Sequence, residues 1–265
     1  MRKVGINIDQ NVIYGVDSFF NCIAATGFEA VFTCGLDEDY IRHISKLCQE
    51  KGLSYDYLHA PWDKINDLWL DTPGSSSLAL ENFFRSVDLA AEYGIPIIIT
   101  HLSSKEDAPT VTDIGRKRFD EFVNYAAKKN IRIAVENQRL LGNIATILEM
   151  YGPETNVGFC WDVGHEKCFA HGREYLPLFP NRCIATHIHD NNCVYNGDDH
   201  ILPYDGCIDF RHTADLIHRY DIQSTLMLEI DLPHEGSDKY RNLSVEQFTA
   251  KAYAAINRIR IISEY

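Results

Sequence analysis

The chain lacks any apolar stretch long enough to cross a bilayer. The longest, around Ile95–Ile99, falls far short of the roughly 20 residues a spanning helix needs. Its opening residues, MRKVGINID, offer neither the apolar core nor the cleavage site of a secretory signal, so a soluble, cytoplasmic protein with no membrane partner is expected. Basic residues are short as well: 38 Asp and Glu stand against 25 Lys and Arg, the formal net charge is −13, and no basic run exceeds three residues. Gripping an extended polyanion takes clustered cations, so nucleic acid is disfavoured as a partner. The eight cysteines run from Cys22 to Cys207 without a CxxC pair and read as reduced thiols. A Gly-rich phosphate turn is also missing after the first apolar segment, where Asp9-Gln10-Asn11-Val12 stands instead. Its absence counts against a doubly wound dinucleotide-binding sheet.

What is present is one unit repeated. An amphipathic helical stretch ends in Gly or Asn, and a short β-rich run follows, as in AATGFEAVFT, AAEYGIPIIITH and AKKNIRIAVEN. The Gly or Asn supplies the left-handed residue that closes a helix. The runs after it do not alternate strictly, as expected of strands buried on both faces. Eight such runs are expected, at 2–8, 28–34, 54–59, 95–101, 131–136, 157–162, 183–189 and 225–230. Helical faces lie between them: Ile41, Ile44, Leu47 and Cys48 mark one, Phe119, Phe122, Val123 and Ala126 another. The last helix opens on Ser244 with Gln247 at capping-box spacing and would bury Phe248, Ala252, Ile256 and Ile259. This alternation predicts an α/β fold, a closed (β/α)8 TIM barrel, with residues 1–265 as a single domain. The structure-poor stretches 60–77, 190–210 and 231–243 each follow a strand, which would place them on the catalytic face.

The strand ends carry the chemistry. His59, His101, Glu136, Asp162, His187-Ile188-His189 and Glu229 close the third to eighth runs; His165 lies one helical turn past Asp162, and Asp198-Asp199-His200 sits in the seventh loop. Singly, each is ordinary: Asp162 could cap a helix and Asp198-Asp199 could form a turn. Jointly they are not, because charged groups converging on one barrel mouth must be paired or metal-bound. Mixed oxygen and imidazole donors suit Mn2+, Zn2+, Co2+ or Mg2+.

AVEN, WDVGH, THIHDNN, DDHILPYDGCIDF and LMLEID, in this order, resemble the xylose isomerase-like superfamily of barrels. That superfamily holds sugar and sugar-phosphate isomerases and epimerases, inosose and dehydroshikimate dehydratases, and endonuclease IV-type apurinic endonucleases. The resemblance implies a divalent metal held by Glu136, Asp162, Glu229 and one histidine of the HIH, with His189 favoured and His187 as the alternative. It implies substrate binding by His165. It also matches His165, Asp198 and His200, and separately His59 and His101, to positions that hold additional zinc in the nucleases. Three activities follow as expectations. The first is a sugar or sugar-phosphate isomerase or epimerase, with Glu136 and Glu229 as acid and base across an enediolate and with His59, Trp62, His101, His165 and His187 around a small-molecule substrate. The alternatives are a multi-zinc phosphoesterase and a dehydratase of a cyclic keto-polyol. Trp62 and Trp69 are candidates either to cover a sugar face or to pack, and Arg139, Lys167, Arg173 and Arg211 to meet a phosphate. An oligomer is compatible with all of these.

Overall fold

Short apolar runs, six of the eight preceded by a left-handed residue such as Gly52 (φ 72°) or Asn130 (φ 59°), form the strands of the computed structural model. It describes residues 1–71, 77–236 and 238–265. Among these, eight strands alternate with eight α-helices. The strands are β1 (Val4–Ile8), β2 (Ala30–Cys34), β3 (Ser54–His59), β4 (Ile97–Thr100), β5 (Arg132–Glu136), β6 (Val157–Asp162), β7 (Cys183–His187) and β8 (Leu226–Leu228). The helices are α1 (Val16–Thr26), α2 (Glu38–Lys51), α3 (Ser77–Tyr93), α4 (Asp113–Lys128), α5 (Leu141–Met150), α6 (Val163–Phe169), α7 (Phe210–Arg219) and α8 (Val245–Ile262).

All strands pair in parallel in the order β7-β6-β5-β4-β3-β2-β1-β8. A parallel bridge from Ile188 to Leu228 closes the ring, with the Ile188 amide donating to Met227 at 2.8 Å and the Glu229 amide to Ile188 at 3.2 Å. The fold is thus a (β/α)8 barrel. The capping box is present, Ser244 accepting from the Gln247 amide while Gln247 Oε1 accepts from the Ser244 amide. No helix among the described residues is long and apolar enough to cross a membrane. Positions 72–76 of the loop expected over 60–77, and position 237 of that over 231–243, lie outside the described residues.

Strand residues sort by parity into two cores. One fills the space between strands and helices; the other fills the barrel itself with Ala30, Phe32, Tyr57, Ile97, Ile99, Ala134, Cys160, Ala185 and Met227. Side chains two apart on a strand share a face. Tyr57, Ile99, Ala134, Cys160, Ala185 and Met227 are each followed two residues later by His59, His101, Glu136, Asp162, His187 and Glu229. Apolar burial therefore aims all six polar groups at the barrel axis, just above the last packed layer.

The expectation of reduced thiols fails at one pair. Cys193 and Cys207 form a disulfide, with Cα atoms 6.0 Å apart across a sequence separation of 14. The loop after β7 doubles back on Asn191, whose side-chain oxygen accepts from the Cys193 amide (2.9 Å) and whose carbonyl accepts from the Cys207 amide (3.0 Å). That separation forms no short motif, so the pattern of cysteines held no sign of it. Among the described residues the other six cysteines are unpaired.

Candidate metal centre and active site

Glu136 stands at the middle of the barrel mouth, fully buried, with an imidazole facing each of its oxygens. Oε1 lies 2.9 Å from His187 Nδ1, while Oε2 lies 3.1 Å from His59 Nε2 and 2.9 Å from His101 Nε2. Glu229 reaches the same His187 nitrogen at 3.1 Å from the far side of the β7–β8 closure. Asp162 is divided in a similar way. Its Oδ1 caps α6 by accepting from the His165 amide at 2.6 Å and lies 3.1 Å from His189 Nε2, whereas its Oδ2 is buried with no hydrogen-bond partner. Past it, Asp198 Oδ2 sits 3.1 Å from His165 Nε2 and 3.4 Å from His200 Nε2.

Donor atoms thus fall into three adjoining groups, each within 4.8 Å: His59, His101 and Glu136; Glu136, Asp162, His187 and Glu229; His165, His189, Asp198 and His200. Neighbouring imidazoles keep the carboxylates Glu136, Glu229 and Asp198 ionised against burial. Burial works against ionising Glu136, yet the neighbouring His187 and His101 hold its carboxyl well below the usual range. Glu229 is lowered against the same burial penalty, chiefly by His187. Burial opposes charge on the imidazoles too, but Glu229 and Glu136 push His187 well up, Asp162 and Asp198 raise His165 to about 10, and Asp198 with Glu229 raises His200 to about 9. His101 goes the other way, lowered by burial.

A buried carboxylate oxygen without a partner is costly unless a cation lies against it. Asp162 Oδ2 is such an atom, and the second group surrounds it with two more carboxylates and an imidazole. This donor set fits a hard or borderline divalent ion of the Mn2+, Zn2+, Co2+ or Mg2+ kind.

The structure brings His187, not the favoured His189, to Glu136 and Glu229. Both histidines share the inward parity, but His187 is level with Asp162 across the β6–β7 register. His189 lies two residues further, about 6–7 Å higher for an extended strand, among His165, Asp198 and His200. Gly164 makes room for it, since a Cβ there would collide with the His189 ring.

A cavity of about 200 Å3 opens above the groups, lined by His59, Trp62, His101, Arg139, His165 and Glu229 among others. It is smaller than a typical drug-sized pocket and suits a compact polar ligand. A larger cavity, about 440 Å3, lies at the N-terminal end of the strands beside Arg2 and Lys3, away from this chemistry. Trp62 is 47% exposed, with its ring stacked 5.2 Å from that of His101. Trp69 takes the packing alternative, buried in the core with its indole N–H on the Leu102 carbonyl. Of the candidate phosphate contacts only Arg139 lines this cavity; Lys167 and Arg173 border a separate one. Asp199 serves the turn, accepting from the Asn192 amide at 2.8 Å.

Three residues of the site had no expected role. Asn137 brackets Asp162 with two backbone hydrogen bonds of 2.8 Å. Gln138 sits 3.2 Å from His101 Nε2 and 3.0 Å from His165 Nδ1. Phe32 stacks under His187 at 4.8 Å. Asn137 follows Glu136 directly within AVEN, and that adjacency was the only signal for it.

Among known proteins, the uncharacterized protein y4fM of Sinorhizobium fredii is 28% identical over an alignment 187 positions long that covers 65% of this chain and 57% of that protein. The chain thus spans little more than half the length of that relative. A D-tagatose 3-epimerase-like protein superposes with a TM-score of 0.75 at 19% identity, covering 99% of this chain and 98% of the other. The D-allulose 3-epimerase of Methylomonas sp., in complex with D-allulose, gives 0.71 at 14%, covering 97% and 98%. D-psicose 3-epimerase of Clostridium cellulolyticum H10, with D-tagatose, gives 0.74 at 12%, covering 99% of each. At these identities the likeness is one of fold. Residues 11–246 match the xylose isomerase-like TIM barrel family, most of the chain and all of the site, and the chain belongs to that family.

Proposed function

We propose that this protein is a divalent-metal-dependent isomerase or epimerase of sugars, with Glu136 and Glu229 as its proton-exchanging pair. The observation that carries the reading is their convergence: from β5 and from beyond β8, both carboxylates come within 3.1 Å of one nitrogen of His187. The fold likeness to sugar 3-epimerases supports the same reading.

Glu136, Asp162, His187 and Glu229 would hold the ion, which supplies Lewis acidity toward a carbonyl and its adjacent hydroxyl. One glutamate takes the proton from the carbon beside the carbonyl, and the electron pair moves onto the carbonyl oxygen to give a planar enediolate. The other glutamate, entering the cycle protonated, then delivers its proton either to the opposite face or, once the adjacent hydroxyl has passed its proton to the former carbonyl oxygen, to the neighbouring carbon. Because both glutamates meet the same imidazole, they titrate as one coupled unit. His59, His101 and His165 offer hydrogen bonds to substrate hydroxyls, Gln138 orients the latter two, and Trp62 covers the open side. Eliminating water from the same enediolate would make the enzyme a dehydratase.

A second reading, a multi-metal phosphoesterase, is favoured by the three adjoining donor groups, since closely spaced ions can activate water and stabilise a leaving oxygen. The net charge of −13 argues against a nucleic-acid substrate.

The test is incubation of metal-loaded protein in D2O with D-allulose, D-tagatose, ketose phosphates and cyclitol ketones, followed by NMR. Deuterium entering the carbon beside the carbonyl supports the proposal. No exchange on any of them, together with incision of an abasic duplex, would replace it with the second reading.

A further inference from the structure

Arg139 is the only Lys or Arg among the described residues lining the mouth cavity, whose other titratable walls are imidazoles and carboxylates. Its guanidinium carbon lies 3.7 Å from the centroid of the buried Phe169 ring, and that ring stands 5.0 Å from His165. Its Nε donates to Asn196 Oδ1 at 2.9 Å. Stacking and this one hydrogen bond fix the plane of the fork, while the two terminal nitrogens make no hydrogen bond or ion pair among the described residues. Glu106 is the nearby carboxylate, but it is engaged by the Asn196 side-chain amide. A guanidinium never deprotonates in a protein, and a part-buried, oriented fork without an acceptor is matched in geometry to a carboxylate or phosphate. A neutral sugar would leave that charge unanswered.

We propose that Arg139 anchors an oxyanion, phosphate or carboxylate, on the part of the substrate remote from its reacting carbonyl, so that the enzyme takes acidic rather than neutral sugars. This rests on the reading of the site as a sugar-binding metal centre. Calorimetric titration of the metal-loaded protein with D-fructose, D-fructose 6-phosphate and D-fructuronate tests it without relying on turnover. The wild type should bind one or both acidic ligands roughly 10- to 100-fold more tightly than fructose, as expected for charge-assisted hydrogen bonds. Which of the two binds more tightly distinguishes phosphate from carboxylate. Arg139→Met should abolish the preference while leaving fructose affinity unchanged, and Arg139→Lys should keep part of it. Equal loss for all three ligands would make Arg139 a purely structural residue and overturn the inference. Fructose binding at least as tightly as both acidic ligands would overturn it too, leaving the isomerase reading intact. Failure of all three to bind would overturn both.

Discussion

Asp162 Oδ1 accepts the His165 amide at 2.6 Å, so the carboxylate whose other oxygen faces the proposed metal centre also starts helix α6. The two jobs can be separated by substitution. Asp162→Asn keeps the cap and removes the charge, whereas Asp162→Ala removes both. In chelator, Asp162→Ala should lose about 1 kcal/mol from the missing cap and Asp162→Asn little. Both should lose most of their bound metal. Thermal unfolding in EDTA, paired with elemental analysis, checks this; equal metal content in Asp162→Asn and wild type would exclude Asp162 as a ligand.

The response to pH should reverse on metal loading. His165 and His200 are raised from 6.5 to about 10 and about 9. In metal-free protein the stability they contribute is fully present below pH 6.5 and is lost as pH climbs through 9 to 10. Ligation requires neutral imidazoles, so metal affinity should instead increase over that range. Chemical denaturation with and without Zn2+ from pH 6 to 10 measures both slopes.

Much of this site was legible because the third to eighth runs each end in a His, Glu or Asp, and parallel barrel strands bring such ends to one mouth. The interior layer of Ala134, Cys160 and Ala185 adds why Glu136, Asp162 and His187 point inward. Parity could not choose between His187 and His189, which share a face; height along the strand, set by the β6–β7 pairing, puts His187 beside Glu136 and Glu229. For Trp69 the sequence allowed either a cover over the cavity or a packed core residue, and the Leu102 carbonyl that receives its indole N–H selects packing. Gln138 and the Cys193–Cys207 pair depend on loop paths that no local pattern encodes.

Gly164→Ala should displace His189 and spare His187, since only the former packs on that position. Overpacking of this kind costs roughly 1–3 kcal/mol. Anomalous scattering from Zn2+-soaked crystals should show weakened density beside His165, Asp198 and His200, with the ion between Glu136 and Glu229 retained. Equal loss at both positions would show that the two groups do not behave separately.

Thiol titration of denatured protein without reductant should report the six unpaired cysteines, and eight after reduction. In the chain-entropy account a closed loop of about 15 residues contributes about 3 kcal/mol, so Cys193→Ser with Cys207→Ser should lower Tm measurably. Eight reactive thiols before reduction would contradict the pairing.

Glu136→Gln and Glu229→Gln test the central claim most directly. Each removes a base while roughly preserving volume and one oxygen donor. With metal content verified, turnover of whichever ketose the wild type accepts should fall by about 10²–10⁴-fold in both. Deuterium uptake from D2O, followed by NMR, should persist in at most one variant, the one whose remaining glutamate still serves its own face of the substrate. Full activity in either variant at unchanged metal content would make that glutamate structural and would contradict proton exchange between Glu136 and Glu229.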